Sequence, residues 1–147
     1  MAKSALRIEG LDALDARLAS ALTSAAYEAG MQKACRIVET AAKKKAPRDT
    51  GALKASITHE TTIEGKQIVG YVGTPIEYAP YQEYGTGKFA ENGAGRKTPW
   101  AYTDERTGET IWTAGNKPHP FLRPALNENQ KRVQEILHDA VRKGMGL

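Results

Sequence analysis

YVGTPIEYAPYQEYGTG, residues 71–87, begins as an alternating strand, turns at Thr74-Pro75 and ends on Gly85 and Gly87. Three of the chain's six tyrosines, Tyr78, Tyr81 and Tyr84, fall within seven residues of this stretch and crowd around Glu83. Their spacing sets side chains on adjoining faces of one or two helical turns. A tyrosine has a large apolar face and a polar tip, so the cluster suits a half-buried core edge or a subunit contact. The chain before it reads as a helix and a sheet. The chain after it reads as a long excursion that returns to a second helix.

Working back towards the N-terminus, Ile57, His59, Thr61 and Ile63 alternate as a strand does, Glu64-Gly65-Lys66 makes a turn, and Ile68–Val72 returns as the partner strand. Ahead of this hairpin, APRDTGALKASI (46–57) reads as a short helical turn begun by Gly51 and capped by Asp49 or Thr50. Residues 11–45 contain no proline and are rich in alanine, so they read as helix, opened by Gly10 and Asp12 and closed by Lys43–Lys45 and Pro47. Leu11, Leu14, Leu18, Leu22 and Ala25 form one apolar stripe, and Ala34, Ile37, Val38 and Ala41 form another on a rotated face. With Gly30 between the two, either the helix breaks near Gly30 or one long helix packs on two surfaces. Leu6–Ile8 reads as a short strand in the lead-in.

Working forward, residues 86–99 hold Gly87, Gly93, Gly95 and Pro99 with few apolar side chains, the composition of a mobile loop. Trp100 and Tyr102, then Ile111 and Trp112, flank the polar turn 104–109 and suggest a second hairpin. An excursion of this length is more than a core needs, and such arms bind or wrap a neighbour. Lys117–Pro120 is extended, Phe121 and Leu122 anchor, and Pro124 fits the first turn of a helix. Val133, Ile136, Leu137, Ala140 and Val141 give that helix one apolar face, and Gly144 stops it.

The chain of 147 residues fits one domain, 1–147, with 86–117 as a flexible loop and hairpin arm within it. A net charge of +4, from 21 basic and 17 acidic residues, is weak evidence for a nucleic-acid partner. The lone Cys35 excludes an internal disulfide, fits a reducing compartment and reads as a buried, inert thiol. No stretch approaches the ~20 apolar residues of a membrane span, and no secretory signal is evident at the N-terminus. His59, His119 and His138 sit at unrelated spacings and make no metal motif. GTGK at 85–88 lacks the rest of a phosphate loop. Glu83 has no second carboxylate, histidine or metal ligand beside it in sequence, so a structural hydrogen bond is its expected role. No catalytic residue, cofactor or metal is expected.

Three segments in order, APRDTGALKASI, VGYVGTPIEYAPYQEYGTG and PHPFLRPAL, resemble the gene-product-ten-like family of lambdoid tailed bacteriophages. The shared patterns are Pro-x-Asp-Thr-Gly-x-Leu, Tyr-Ala-x-x-x-Glu-x-Gly and Pro-Phe-Leu-Arg-Pro-Ala. They cover roughly residues 10–143, and the 86–117 excursion departs from a compact member. The family comprises small virion proteins of the head–tail junction, described as tail-completion or minor tail components.

The resemblance implies an α+β subunit with an antiparallel β-sheet braced by a long N-terminal helix, to which the residues themselves add a C-terminal helix and a β-hairpin excursion. It implies ring assembly, often with six copies, against neighbouring tail or head-connector proteins, on an axis that DNA crosses. The expected location is the virion tail or neck, with host cytoplasm during assembly and no membrane. Carried over by position, Asp49, Thr50, Gly51, Leu53, Tyr78, Ala79, Glu83, Gly85, Pro120, Phe121, Leu122, Arg123 and Pro124 are fold and assembly positions. Glu83 and Arg123 are expected to form an ion pair, which a charge swap would test. Tyr81, Tyr84, Trp100 and Trp112 are candidate interface residues. A small basic nucleic-acid-binding module using Lys43–Arg48, Lys88, Arg96 and Lys97 is the alternative, and a hydrolase with a site built from distant residues is a third reading.

Overall fold

The computed structural model describes residues 8–49 and 51–147. Leu6 and Arg7 of the expected strand, and Thr50 with its capping role, lie outside that range. The element order is α1 (Leu11–Leu22), α2 (Ala25–Lys45), α3 (Ala52–Ser56), β1 (Thr58–Glu64), β2 (Gln67–Gly73), α4 (Ala79–Tyr84), β3 (Trp100–Thr103), β4 (Thr110–Thr113), α5 (Leu122–Glu128) and α6 (Gln130–Gly144). A 3₁₀ turn at Gly87–Phe89 follows α4. This is the expected α+β arrangement of N-terminal helix, antiparallel strands and C-terminal helix.

The N-terminal helical region breaks at Thr23-Ser24, not at Gly30. Ser24 stops one helix and starts the next: its hydroxyl donates to the Ala21 carbonyl at 2.7 Å and accepts the Tyr27 N–H at 3.2 Å. A serine hydroxyl facing the orphan N–H groups of a first turn is a strong start signal. Gly30 lies inside α2 for a different reason. A Cβ there would overlap that of Ala140, so the missing side chain lets α6 approach α2 closely. The C-terminal helix is likewise two segments, parted at Asn129, whose side-chain amide donates back to the Ala125 carbonyl at 2.8 Å.

The chain divides into two compact units. The first holds the described part of Met1–Cys35, with Glu60–Tyr71 and Lys131–Leu147. Its buried apolar residues are small apart from Ile68: Ala21, Ala34, Cys35, Ile68 and Ala140. β2 lies against α2 where Gly70 leaves no room for a side chain beside Cys35 and Met31. The leucine stripe of α1 is not covered: Leu11, Leu14 and Leu18 are all exposed, as is Ile63 on β1 despite its place in the alternation.

The second unit holds Arg36–His59 and Val72–Gln130. Its buried apolar residues are Val38, Ala42, Ala46, Leu53, Ile57, Ala79, Phe121 and Ala125, and Phe121 and Ile57 are the large ones fully enclosed. The aromatic hairpin forms as read, with Trp100 opposite Thr113, Ala101 opposite Trp112, Tyr102 opposite Ile111 and Thr103 opposite Thr110. β1 and β2 form the other two-stranded sheet, joined at Gly65-Lys66. A two-residue connection between paired strands makes them antiparallel.

Candidate assembly site

The quoted stretch delivers α4, a six-residue helix with Tyr78 at its N-cap, Pro80 in its first turn and Gly85 at its C-cap. At ~100° per residue, Tyr78, Tyr81 and Tyr84 share one side and Glu83 points to the other. The tyrosines therefore do not surround Glu83. They are 42%, 60% and 49% exposed, whereas Glu83 is 3% exposed.

Glu83 is the one buried charged residue among those described, and every partner it needs comes from the PHPFLRPAL segment. Its Oε2 accepts the N–H groups of Phe121 at 2.8 Å and Leu122 at 3.0 Å. Its Oε1 accepts the Arg123 backbone N–H at 3.0 Å and Nε–H at 2.9 Å. The carboxylate thus occupies the start of α5, where unpaired N–H groups converge and favour negative charge. The expected Glu83–Arg123 pair exists, but three of the four donors are backbone.

Arg123 extends the network. Its Nη2 donates to the Glu83 carbonyl at 3.0 Å, and Nη1 and Nη2 together grip the Glu91 carboxylate at 2.9 Å each. Its guanidinium also lies 4.6 Å from the centre of the Tyr84 ring, a stacking geometry that suits arginine's planar, weakly hydrated cation. Burial would raise the Glu83 carboxyl pKa, but the backbone donors and Arg123 outweigh it and hold the group below the usual carboxylate range. The Arg123 hydrogen bonds likewise lower Glu91, and Glu91 and Glu83 raise Arg123. The His119 N–H donates to the Gln82 carbonyl at 2.7 Å and adds a second tie between α4 and this segment.

Beyond α4 the chain is pinned to residues 114–116. The Thr86 N–H donates to the Asn116 carbonyl at 2.9 Å, Lys88 N–H to the Ala114 carbonyl at 3.0 Å, and Asn116 N–H to Thr86 Oγ1 at 2.9 Å. Gly87 makes this approach possible: its φ is +60°, and a Cβ would strike the Ala114 carbonyl. The glycines of GTG thus serve backbone packing.

Two cavities flank Tyr81. One, about 760 Å³, is lined by Pro80, Tyr81, Tyr84, Glu91 and Ala94 among others. The other, about 330 Å³, is lined by Asp49, Gly51 and Leu53 from the first motif and by Tyr78 and Tyr81 from the second. Within the first motif Leu53 is buried and Asp49 exposed, Gly51 is the N-cap of α3, and the hydroxyls of Ser56 and Thr74 meet at 2.6 Å. Phe121 is fully buried, and Pro124 sits in the first turn of α5. Neither Trp100 nor Trp112 lines these cavities.

Sequence reading passed over Glu91, which lies in a glycine-rich loop with no local signal. It also passed over Glu39, which bonds both Lys43 and His59. The spacing of Glu39 and Lys43 is a readable helical pair. The His59 and Lys43 bonds hold the Glu39 carboxyl low. Among the described residues no group of histidine, cysteine and acidic side chains could hold a metal ion. Nor is any helix long and apolar enough to cross a membrane.

Residues 11–85, slightly more than half of the chain, match the family model described as "Bacteriophage HK97-gp10, putative tail-component". The chain belongs to the HK97-gp10-like family. Membership makes its role structural, that of a phage tail component rather than an enzyme. The match ends two residues after Glu83. The third motif lies beyond it, yet Glu83 bonds that motif directly. Comparison with curated proteins gives no match. Comparison with solved structures gives none either.

Proposed function

We propose that this chain is a tail-completion or connector subunit acting at the head–tail junction or tail end of a tailed phage or prophage, through ring-forming contacts with copies of itself. The observation that carries the reading is the exposed tyrosine face of α4, in a chain whose family is one of tail components. Glu83 and Arg123 hold that face from behind. The work of such a subunit is binding, by a self-complementary or head-to-tail contact in closed symmetry and a docking face for a neighbouring tail or connector protein. Leu53, Gly85, Phe121 and Pro124 act as fold positions, and Tyr81, Tyr84, Trp100 and Trp112 make the contacts. Any contact with DNA in the lumen is non-specific.

The nucleic-acid alternative draws less support. Lys43 and Lys45, central to its basic cluster, are paired with Glu39 and Glu128. The test is deletion of the gene from the phage or prophage that carries it, followed by electron microscopy of the lysate. Unjoined heads and tails, or tails of uncontrolled length, rescued by the supplied protein, are expected. Normal infectious particles from the deletion would contradict the proposal.

A further inference from the structure

The β3–β4 hairpin presents two unlike faces. Alternation puts Trp100, Tyr102, Ile111 and Thr113 on one side, and Ala101, Thr103, Thr110 and Trp112 on the other. On the second side Trp112 stands alone above small residues and is 72% exposed, the highest value among the large exposed apolar side chains. A two-stranded hairpin is marginal in water on its own, and tryptophan is one of the side chains enriched among the residues that dominate protein contacts.

The groove beside α4 has the complementary character. Its volume of about 760 Å³ accommodates an indole with its flanking backbone, and its walls include the rings of Tyr81 and Tyr84 and the methyl of Ala94. Among the lining residues Tyr81, Tyr84 and Glu91 carry oxygens of the kind that accept the single N–H an indole donates. It is formed in advance: Arg123 fixes both Tyr84 and Glu91, and the bonds between Thr86 and Asn116 hold Thr86, another of its lining residues. Residues 114–116 directly follow β4. Knob and groove therefore spring from one rigid junction, and the knob is not in its own groove.

We infer that Trp112 of one copy inserts into the Tyr81–Tyr84 groove of the next copy, so that the contact is head-to-tail and each subunit offers one knob and one groove. This deepens the ring reading and rests on it. A fixed relation between donor and acceptor sites fixes the rotation from copy to copy, which is what lets a head-to-tail contact close.

The test uses two variants of the full chain: Trp112→Ala, which removes the knob and keeps the groove, and Ala94→Trp, which fills the groove and keeps the knob. Both positions are exposed, and circular dichroism checks that each variant folds. In analytical ultracentrifugation the unmodified chain is expected to pass beyond dimer as concentration rises. Each variant alone loses association by ~30-fold or more in dissociation constant, and the two mixed give one-to-one heterodimers and nothing larger. The inference is overturned by a Trp112→Ala chain that assembles like the unmodified one, by a mixture that does not pair, or by an unmodified chain monomeric at millimolar concentration. Rings formed by Trp112→Ala remove this contact and leave the ring reading standing. Normal particles from the gene deletion remove the ring reading itself.

Discussion

Replacing Glu83 with glutamine tests the polar clamp most sharply. The carboxylate serves four N–H donors: the backbones of Phe121, Leu122 and Arg123, and Arg123 Nε. A carboxamide has one oxygen, which serves two donors, and it turns an NH₂ group towards the other two. A buried N–H left unpaired costs ~1–3 kcal/mol, whereas Arg123, 42% exposed, keeps its bonds to Glu91, so loss of the ion pair itself adds little. With two donors left facing the NH₂ group we expect a loss of about 2–6 kcal/mol, a large part of the ~5–15 kcal/mol that a domain has. The core leans on alanine, with Phe121 and Ile57 as its large fully buried residues, so little else compensates. Urea unfolding followed by circular dichroism reads the loss as a lower midpoint with unchanged slope.

The pH dependence follows from the same group. The folded Glu83 pKa lies below its ordinary 4.5. The clamp's stabilisation is therefore complete above the unfolded value and is lost as pH falls through the folded one. The unmodified chain loses stability below about pH 4.5, and Glu83→Gln flattens that acid limb. A variant within ~0.5 kcal/mol of the parent, a scatter typical of neutral surface changes, or an acid limb equally steep in both, refutes the reasoning. The charge swap of Glu83 with Arg123 is expected not to restore folding, because three of the four donors are backbone and do not swap.

Other perturbations probe the close approaches and the arm. Gly30→Ala gains helix propensity but drives a methyl into Ala140, and overpacking of ~1–3 kcal/mol wins; thermal unfolding at a lower temperature is expected, and a higher one contradicts the α2–α6 contact. Gly87→Ala meets both a positive φ and the Ala114 carbonyl, so amide exchange at Thr86 and Lys88 should accelerate well beyond any change at Ile57. Limited trypsin digestion of the free protein should cut at Arg96 and Lys97 before Lys88, whose N–H is bonded to Ala114; first cleavage at Lys88 argues against a pinned 86–88 segment.

Both hairpins were legible because their signals are local: Gly65-Lys66 and the polar turn 104–109 separate runs of alternating side chains. The helix break was misread because Gly30 looks like punctuation, whereas its lack of a side chain serves packing against α6, which the local sequence does not show. Ser24 carried the break signal, within an alanine-rich run that favours uninterrupted helix. The order of the motifs pointed to a Glu83–Arg123 pair. That the carboxylate chiefly caps α5 was not legible, because it depends on backbone groups 38–40 positions away. The outward turn of the tyrosines follows from the same geometry: once Glu83 is drawn inward, helical periodicity sends Tyr78, Tyr81 and Tyr84 to the surface. Glu91 had no signal at all, since its role exists only once Arg123 has been placed.

The most direct test of the account is the native mass of the purified protein by light scattering over a wide concentration range, with negative-stain imaging of the largest species. Assembly beyond dimer into a closed ring, dependent on Trp112 and on the groove of Tyr81 and Tyr84, is expected. A chain that remains monomeric to millimolar concentration, or that forms a ring indifferent to both, contradicts it.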